Sequence, residues 1–125
     1  MAFNSGENLK IHGLTATGDL SAKQYHVAML ASTARTVKAS TGPTAANVGI
    51  LDNDPAAGEP ASVIGAWMAK AMSGAAIAAG DLVTANTTAQ LVATTSANNK
   101  VVGRAITAAS GTAVLFEVFV GQSNY

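Results

Sequence analysis

The chain of 125 residues contains no cysteine. That excludes disulfides, thiolate zinc sites and cysteine nucleophiles together. Charge is scarce. Charged residues make up 11% of the chain, seven basic against seven acidic, well below the usual quarter. The basic residues Lys10, Lys23, Arg35, Lys38, Lys70, Lys100 and Arg104 are scattered along the chain. Duplex binding needs several of them on one face to displace counterions, so no nucleic acid is expected as a partner. Aromatics are few, with one Trp, two Tyr and three Phe. The longest low-charge stretch, residues 61–79, is interrupted by Lys70, Gly65 and Gly74. It is too short and too broken to span a bilayer, so no membrane partner is expected. The N-terminus has neither the basic nor the apolar region of a secretory signal, which points to synthesis in the cytoplasm.

What is present is small and apolar. Hydrophobic residues are 49% of the chain, many of them alanine. A chain of this length reads as one domain that buries roughly two thirds of its unfolded surface. A core of small side chains is thin, and neighbouring subunits can supply the missing buried area, so self-association is expected.

The tripeptide Gly-Asp-Leu occurs twice, at residues 18–20 and 80–82. Similar residues follow in the same order: Val48-Gly49 and Val102-Gly103, then Gly58 and Gly111, then the runs 61–67 and 112–120. The offsets are 62 residues at the Gly-Asp pair, 54 at the Val-Gly pair and 53 at the next glycine. A preserved order with a drifting offset reads as two copies of one unit, about residues 15–72 and 74–120. The first copy then holds eight or nine extra residues between Leu20 and Asn47.

The predicted elements are strands. Residues 25–30 and 36–39 form a hairpin, and residues 48–51 end at the Asp52-Asn53-Asp54-Pro55 turn. Residues 61–72 fit a helical face through Val63, Ile64, Trp67, Met68, Ala71 and Met72. They also fit a strand buried on both sides, and Gly65 with the repeat favours the strand. Residues 82–85, 90–93, 101–106 and 112–120 are strands separated by polar turns. This spacing predicts an all-β fold, a small antiparallel barrel or sandwich. In the last strand Val114, Phe116, Val118 and Val120 face one way, and Leu115, Glu117 and Phe119 face the other. Residues 1–14 read as an N-terminal arm ahead of a single β domain over residues 15–125. Phe3, Leu9, Ile11 and Leu14 are too few there for a core and too many for an inert tail. Residues 9–14 also fit the first strand of the barrel.

No constellation carries chemistry. His12 and His26 are fourteen residues apart, without a partner at ligand spacing. Asp52-Asn53-Asp54 lacks the spacing, glycine and closing glutamate of a calcium loop. Residues 41–44 lack the Gly-Lys-Ser/Thr of a phosphate loop, and no nucleophile elbow occurs. Asp19 and Asp81 each follow a glycine ahead of a strand, where a carboxylate accepts hydrogen bonds from turn amides. No catalytic residue, metal or cofactor is expected, and the chain reads as a non-enzyme.

Residues 74–85 (Gly-Ala-Ala-Ile-Ala-Ala-Gly-Asp-Leu-Val-Thr-Ala), then Val101-Val-Gly-Arg-Ala-Ile, then Gly111-Thr-Ala-Val-Leu-Phe-Glu-Val-Phe-Val together resemble the small capsid decoration, or cement, proteins of tailed bacteriophages. There an Ala-Ile-x-Ala-Gly-Asp turn opens a strand, a Val-Gly-x-Ala strand follows, and a Gly-x-x-Val-x-Val strand closes the unit. The likeness covers residues 74–120 well and residues 15–67 through the duplicated unit. It implies a non-enzymatic virion protein on the capsid exterior that bridges subunits of the major capsid protein and stabilises the shell. It also favours a trimer over a dimer, because capsid lattices present local three-fold positions. On that reading Phe3, Leu9, Ile11, Trp67, Phe116 and Phe119 are the expected contacts with the capsid or a neighbouring subunit. Phe3 and Ile11 would anchor the arm. A carbohydrate-binding or fibre-type recognition module on a virion is the alternative.

Overall fold

Nine strands run through the described residues: β1 (Asn8–Ala16), β2 (Val27–Leu30), β3 (Thr36–Ala39), β4 (Asn47–Leu51), β5 (Pro60–Gly74), β6 (Leu82–Ala85), β7 (Leu91–Ala93), β8 (Lys100–Ala105) and β9 (Thr112–Asn124). This is a computed structural model, and it describes residues 8–94, 96 and 98–124; no helix occurs among them. The fold is all-β, as the spacing of strands and turns predicts.

The strands close into two rings. In the first, β1 lies parallel to β3, β3 pairs with β2, β2 with β4, β4 with β5, and β5 returns to β1. In the second, β5 lies parallel to β7, β7 pairs with β6, β6 with β8, β8 with β9, and β9 returns to β5. Each is a five-stranded barrel, and the long strand β5 is a wall of both. The N-terminal half of β5 pairs with β1 and β4, and residues 67–74 pair with β9. Closure leaves a small-residue sheet with few free edges.

Two cores follow. Leu14, Leu20, Ala28, Val37, Leu51 and Val63 fill the first barrel. Val83, Ala85, Leu91, Val102, Phe116 and Val118 belong to the second core. Alternation along β9 puts Phe116, Val118 and Val120 inside and leaves Leu115 and Phe119 about half exposed, as a period of two requires. The run 61–72 is strand throughout, within β5.

The second ring repeats the connectivity of the first. The strand registers place Val27 with Leu82, Val37 with Leu91, Gly49 with Gly103 and Val63 with Val118, at offsets of 55, 54, 54 and 55 residues. The offset of 62 between the two Gly-Asp-Leu copies is therefore seven too large. Residues 20–26 of the first unit form an extra loop ahead of β2, where the second unit enters β6 directly after Asp81. Leu20 plugs the first core, and its N–H donates to the Pro55 carbonyl at 2.8 Å. Tyr25 has φ 70, which keeps it out of the ladder, so β2 begins at Val27 and not at Tyr25. Asp19 Oδ1 accepts the Ser21 N–H at 3.0 Å, and this bond, helped by the Ser21 hydroxyl, holds the pKa of its carboxyl below the ordinary value. Asp81 Oδ2 accepts the Ala78 N–H at 3.0 Å.

The arm expected over residues 1–14 is corrected for its second half. Residues 8–14 lie in β1 and close the first barrel against β5, with Leu9 opposite Ala66 and Ile11 opposite Val63. Ile11 packs on the first core, and Gly65 makes room for it: a Cβ there would lie 3.1 Å from Ile11 Cδ1. Residues 1–7 lie outside the described residues.

Candidate interaction surface

The outer face of β5 and β9 carries two of the large apolar side chains that the described residues leave exposed, Leu115 and Phe119. Paired residues share a face in an antiparallel ladder. Met68 stands opposite Phe119, Lys70 opposite Glu117 and Met72 opposite Leu115. Phe119 is 53% exposed and Leu115 47%. The stripe is apolar at both ends and carries one opposed charge pair in its middle. Methionines beside exposed Leu and Phe make an adaptable contact surface.

Trp67 marks the handover of β5 from one barrel to the other. It pairs with Asn8 of β1 and with Val120 of β9. Its φ is 77 and it is about half exposed. A bulky residue in the left-handed region costs about 1–2 kcal/mol, and such residues cluster at functional sites. Leu9, opposite Ala66, is also half exposed beside it.

Of the expected contact residues, the structure therefore brings Leu9, Trp67 and Phe119 to the surface. Ile11 is half-buried on the first core. Phe116 is not at the surface of the chain: it is buried in the second core, and its neighbours Leu115 and Glu117 take the outer face. Phe3 lies outside the described residues. Leu30, Ile106 and Leu115 are exposed apolar residues absent from that set. The alternation of β9 already places Leu115 beside Phe119; no sequence signal marks Leu30 or Ile106.

The chemistry of the surface is that of contact. A pocket of about 340 Å³ between the barrels is lined by Tyr25, Asp52, Ile64, Met68, Lys70 and Glu117. It holds no nucleophile paired with a base. His26 Nδ1 lies 3.0 Å from the Gln24 carbonyl, and His12 is exposed on β1. Asn53 is a turn residue: its Oδ1 accepts the Ser62 N–H at 3.0 Å and its Nδ2 donates to the Pro60 carbonyl at 3.1 Å. Among the described residues, no group of three His, Asp or Glu side chains is placed to hold a metal ion. No helix among them is long and apolar enough to cross a membrane.

Fold and surface together define a twin-barrel β module that presents apolar side chains outward from a weakly charged scaffold. The chain belongs to the phage cement protein family, whose model matches residues 12–121. It is a phage structural protein. Among solved structures it is similar to the head fiber gp8.5 N base of bacteriophage phi29, with a TM-score of 0.69 and 16% identity over 90% of this chain and 93% of that one. No curated protein matches it.

Proposed function

We propose that the protein decorates the outer surface of a phage capsid, bridges subunits of the major capsid protein and thereby stabilises the shell, without catalysing a reaction. The observation that carries this reading is the exposed stripe of β5 and β9, with Met72 and Leu115 at one end and Met68 and Phe119 at the other. Among the described residues six large apolar side chains are exposed, Leu115 and Phe119 of this stripe among them, and a contiguous apolar patch marks an interface. The protein acts as a homo-oligomer, with a trimer favoured over a dimer. Several weak contacts made at once multiply into stable attachment. The two units of the chain are copies of one ancestral unit. It is made in the host cytoplasm and ends on the capsid exterior, and it needs no nucleic acid, membrane or cofactor.

Co-sedimentation with empty capsids tests the reading. Wild-type protein is expected to saturate the shell. Leu115→Asp places a charge in the stripe and is expected to lower occupancy at least about tenfold, since a desolvated charge costs several kcal/mol. Its melting temperature should stay near wild type. Equal occupancy by Leu115→Asp would show that this face is not the capsid contact.

Trp67→Gly separates binding from folding. Glycine relieves the left-handed strain, about 1–2 kcal/mol. Losing a half-buried ring costs a similar amount. The melting temperature is therefore expected to move by only a few degrees while capsid occupancy falls. A large stability loss with normal occupancy would make Trp67 a purely structural residue.

The alternative is a glycan-binding or fibre-type module. Two exposed aromatics, Trp67 and Phe119, favour it, because rings of this kind stack on sugars. Binding to a glycan array with no capsid binding would establish it in place of the capsid reading.

A further inference from the structure

The contact between the two barrels shows what the free end of the molecule is shaped to meet. In the first barrel Val27, Ile50 and Ile64 stand opposite one another across β2, β4 and β5. They belong to the second core, with Ala85 and Leu91, and are exposed by 2% at most. The outer wall of the first barrel thus seals one end of the second. The Val27 N–H donates to the Ala89 carbonyl at 2.7 Å, and the Met72 N–H to the Tyr25 carbonyl at 2.9 Å, along this seam.

The second barrel presents the same wall. Leu82, Arg104 and Phe119 stand opposite one another across β6, β8 and β9, in the positions of Val27, Ile50 and Ile64. Here the row is open. Arg104 and Phe119 are exposed, Leu82 is half-buried, and a groove of about 190 Å³ runs along them. The matching end is on the first barrel. Leu30, opposite Val37, takes the position of Ala85, opposite Leu91. Ala85 is sealed at 0% exposure, whereas Leu30 is 44% exposed.

We infer that a second copy of this chain completes both surfaces: the Leu82–Arg104–Phe119 wall of one copy seats on the Leu30 end of the next copy's first barrel. The contact repeats between chains the one that the two barrels make within a chain. It is head-to-tail, not two-fold, so copies close into a ring or continue as a fibre. A ring of three is the form that fits the proposed trimer. The inference deepens the homo-oligomer reading and rests on it only for the fact of self-association. Burial of Phe119 and Leu30 leaves Leu115, Met72 and Trp67 for the shell.

The natural absence of cysteine makes the test clean. Leu30→Cys and Phe119→Cys are prepared as separate full-length variants, mixed under mild oxidation and run on a non-reducing gel. The mixture is expected to give a two-chain species at least tenfold above that of either variant alone. Light scattering of Phe119→Asp should show a shift to monomer with an unchanged melting temperature. Phe119→Cys cross-linking alone as well as in the mixture would mean a two-fold contact and overturn the inference. So would the absence of any cross-link, or a Phe119→Asp protein as oligomeric as wild type. Capsid co-sedimentation stands apart from this result: a strict monomer that still saturates capsids would end the head-to-tail contact and leave the capsid reading intact.

Discussion

Gly49→Ala and Gly103→Ala are each expected to destabilise the protein by roughly 3 kcal/mol, at the upper end of overpacking costs. A Cβ on Gly49 would lie 2.1 Å from the Ile64 carbonyl oxygen, and one on Gly103 would lie 2.2 Å from the Phe119 carbonyl oxygen. Both obstacles are backbone, so no rotamer change relieves them. The strand pairs β4–β5 and β8–β9 must spread instead, and each closes its ring. At this size the melting temperature should fall by about 10 °C. The two substitutions occupy matching places in the two barrels, so their effects should be similar. A melting temperature within 2–3 °C of wild type for both variants would show that the rings close less tightly than these approaches require.

Deletion of residues 2–12 is expected to be as damaging. It removes the part of β1 that pairs with β5 through Asn8, Leu9, Lys10 and Ile11. The first barrel then loses a wall, and Ile11 leaves the first core. Burial of a side chain of this size contributes about 1.5–3 kcal/mol, and the lost ladder adds to it. The free protein should melt at least about 10 °C lower, or lose cooperativity in the first barrel. Because β5 is a wall of both rings, the second barrel is expected to weaken with it. A truncated protein with wild-type melting would mean that residues 8–12 act as an arm after all, and that the first ring stands without them.

These two results probe what the sequence made legible and what it did not. The alternation of β9 could be read residue by residue, because one side of a strand is inside a barrel and the other is not. The same rule removes Phe116 from the surface, since it shares its face with Val118 and Val120. Both Val-Gly pairs were visible as a repeat, yet their role as points of close approach depends on which strand crosses them. The double use of β5 was not legible. A run buried on both sides looks the same whether it lies in one sheet or joins two barrels. Residues 9–14 read equally as an arm and as a strand because the alternation there covers only four residues, and only pairing with β5 decides it. The first Gly-Asp-Leu copy misleads the alignment by seven residues, because the loop 20–26 inserts a buried leucine at the place where the second unit starts a strand. Exposure of Leu30 depends on which end of a barrel is sealed, and that is a property of the pair of barrels, not of the strand.

An electron cryomicroscopy map of capsids saturated with the purified protein tests the central claim most directly. The account predicts density on the outer surface, lying across junctions between major capsid subunits, with the Leu115–Met72 face of β5 and β9 turned toward the shell. Density confined to the capsid interior or the tail, or a shell left bare at saturating protein, would contradict it.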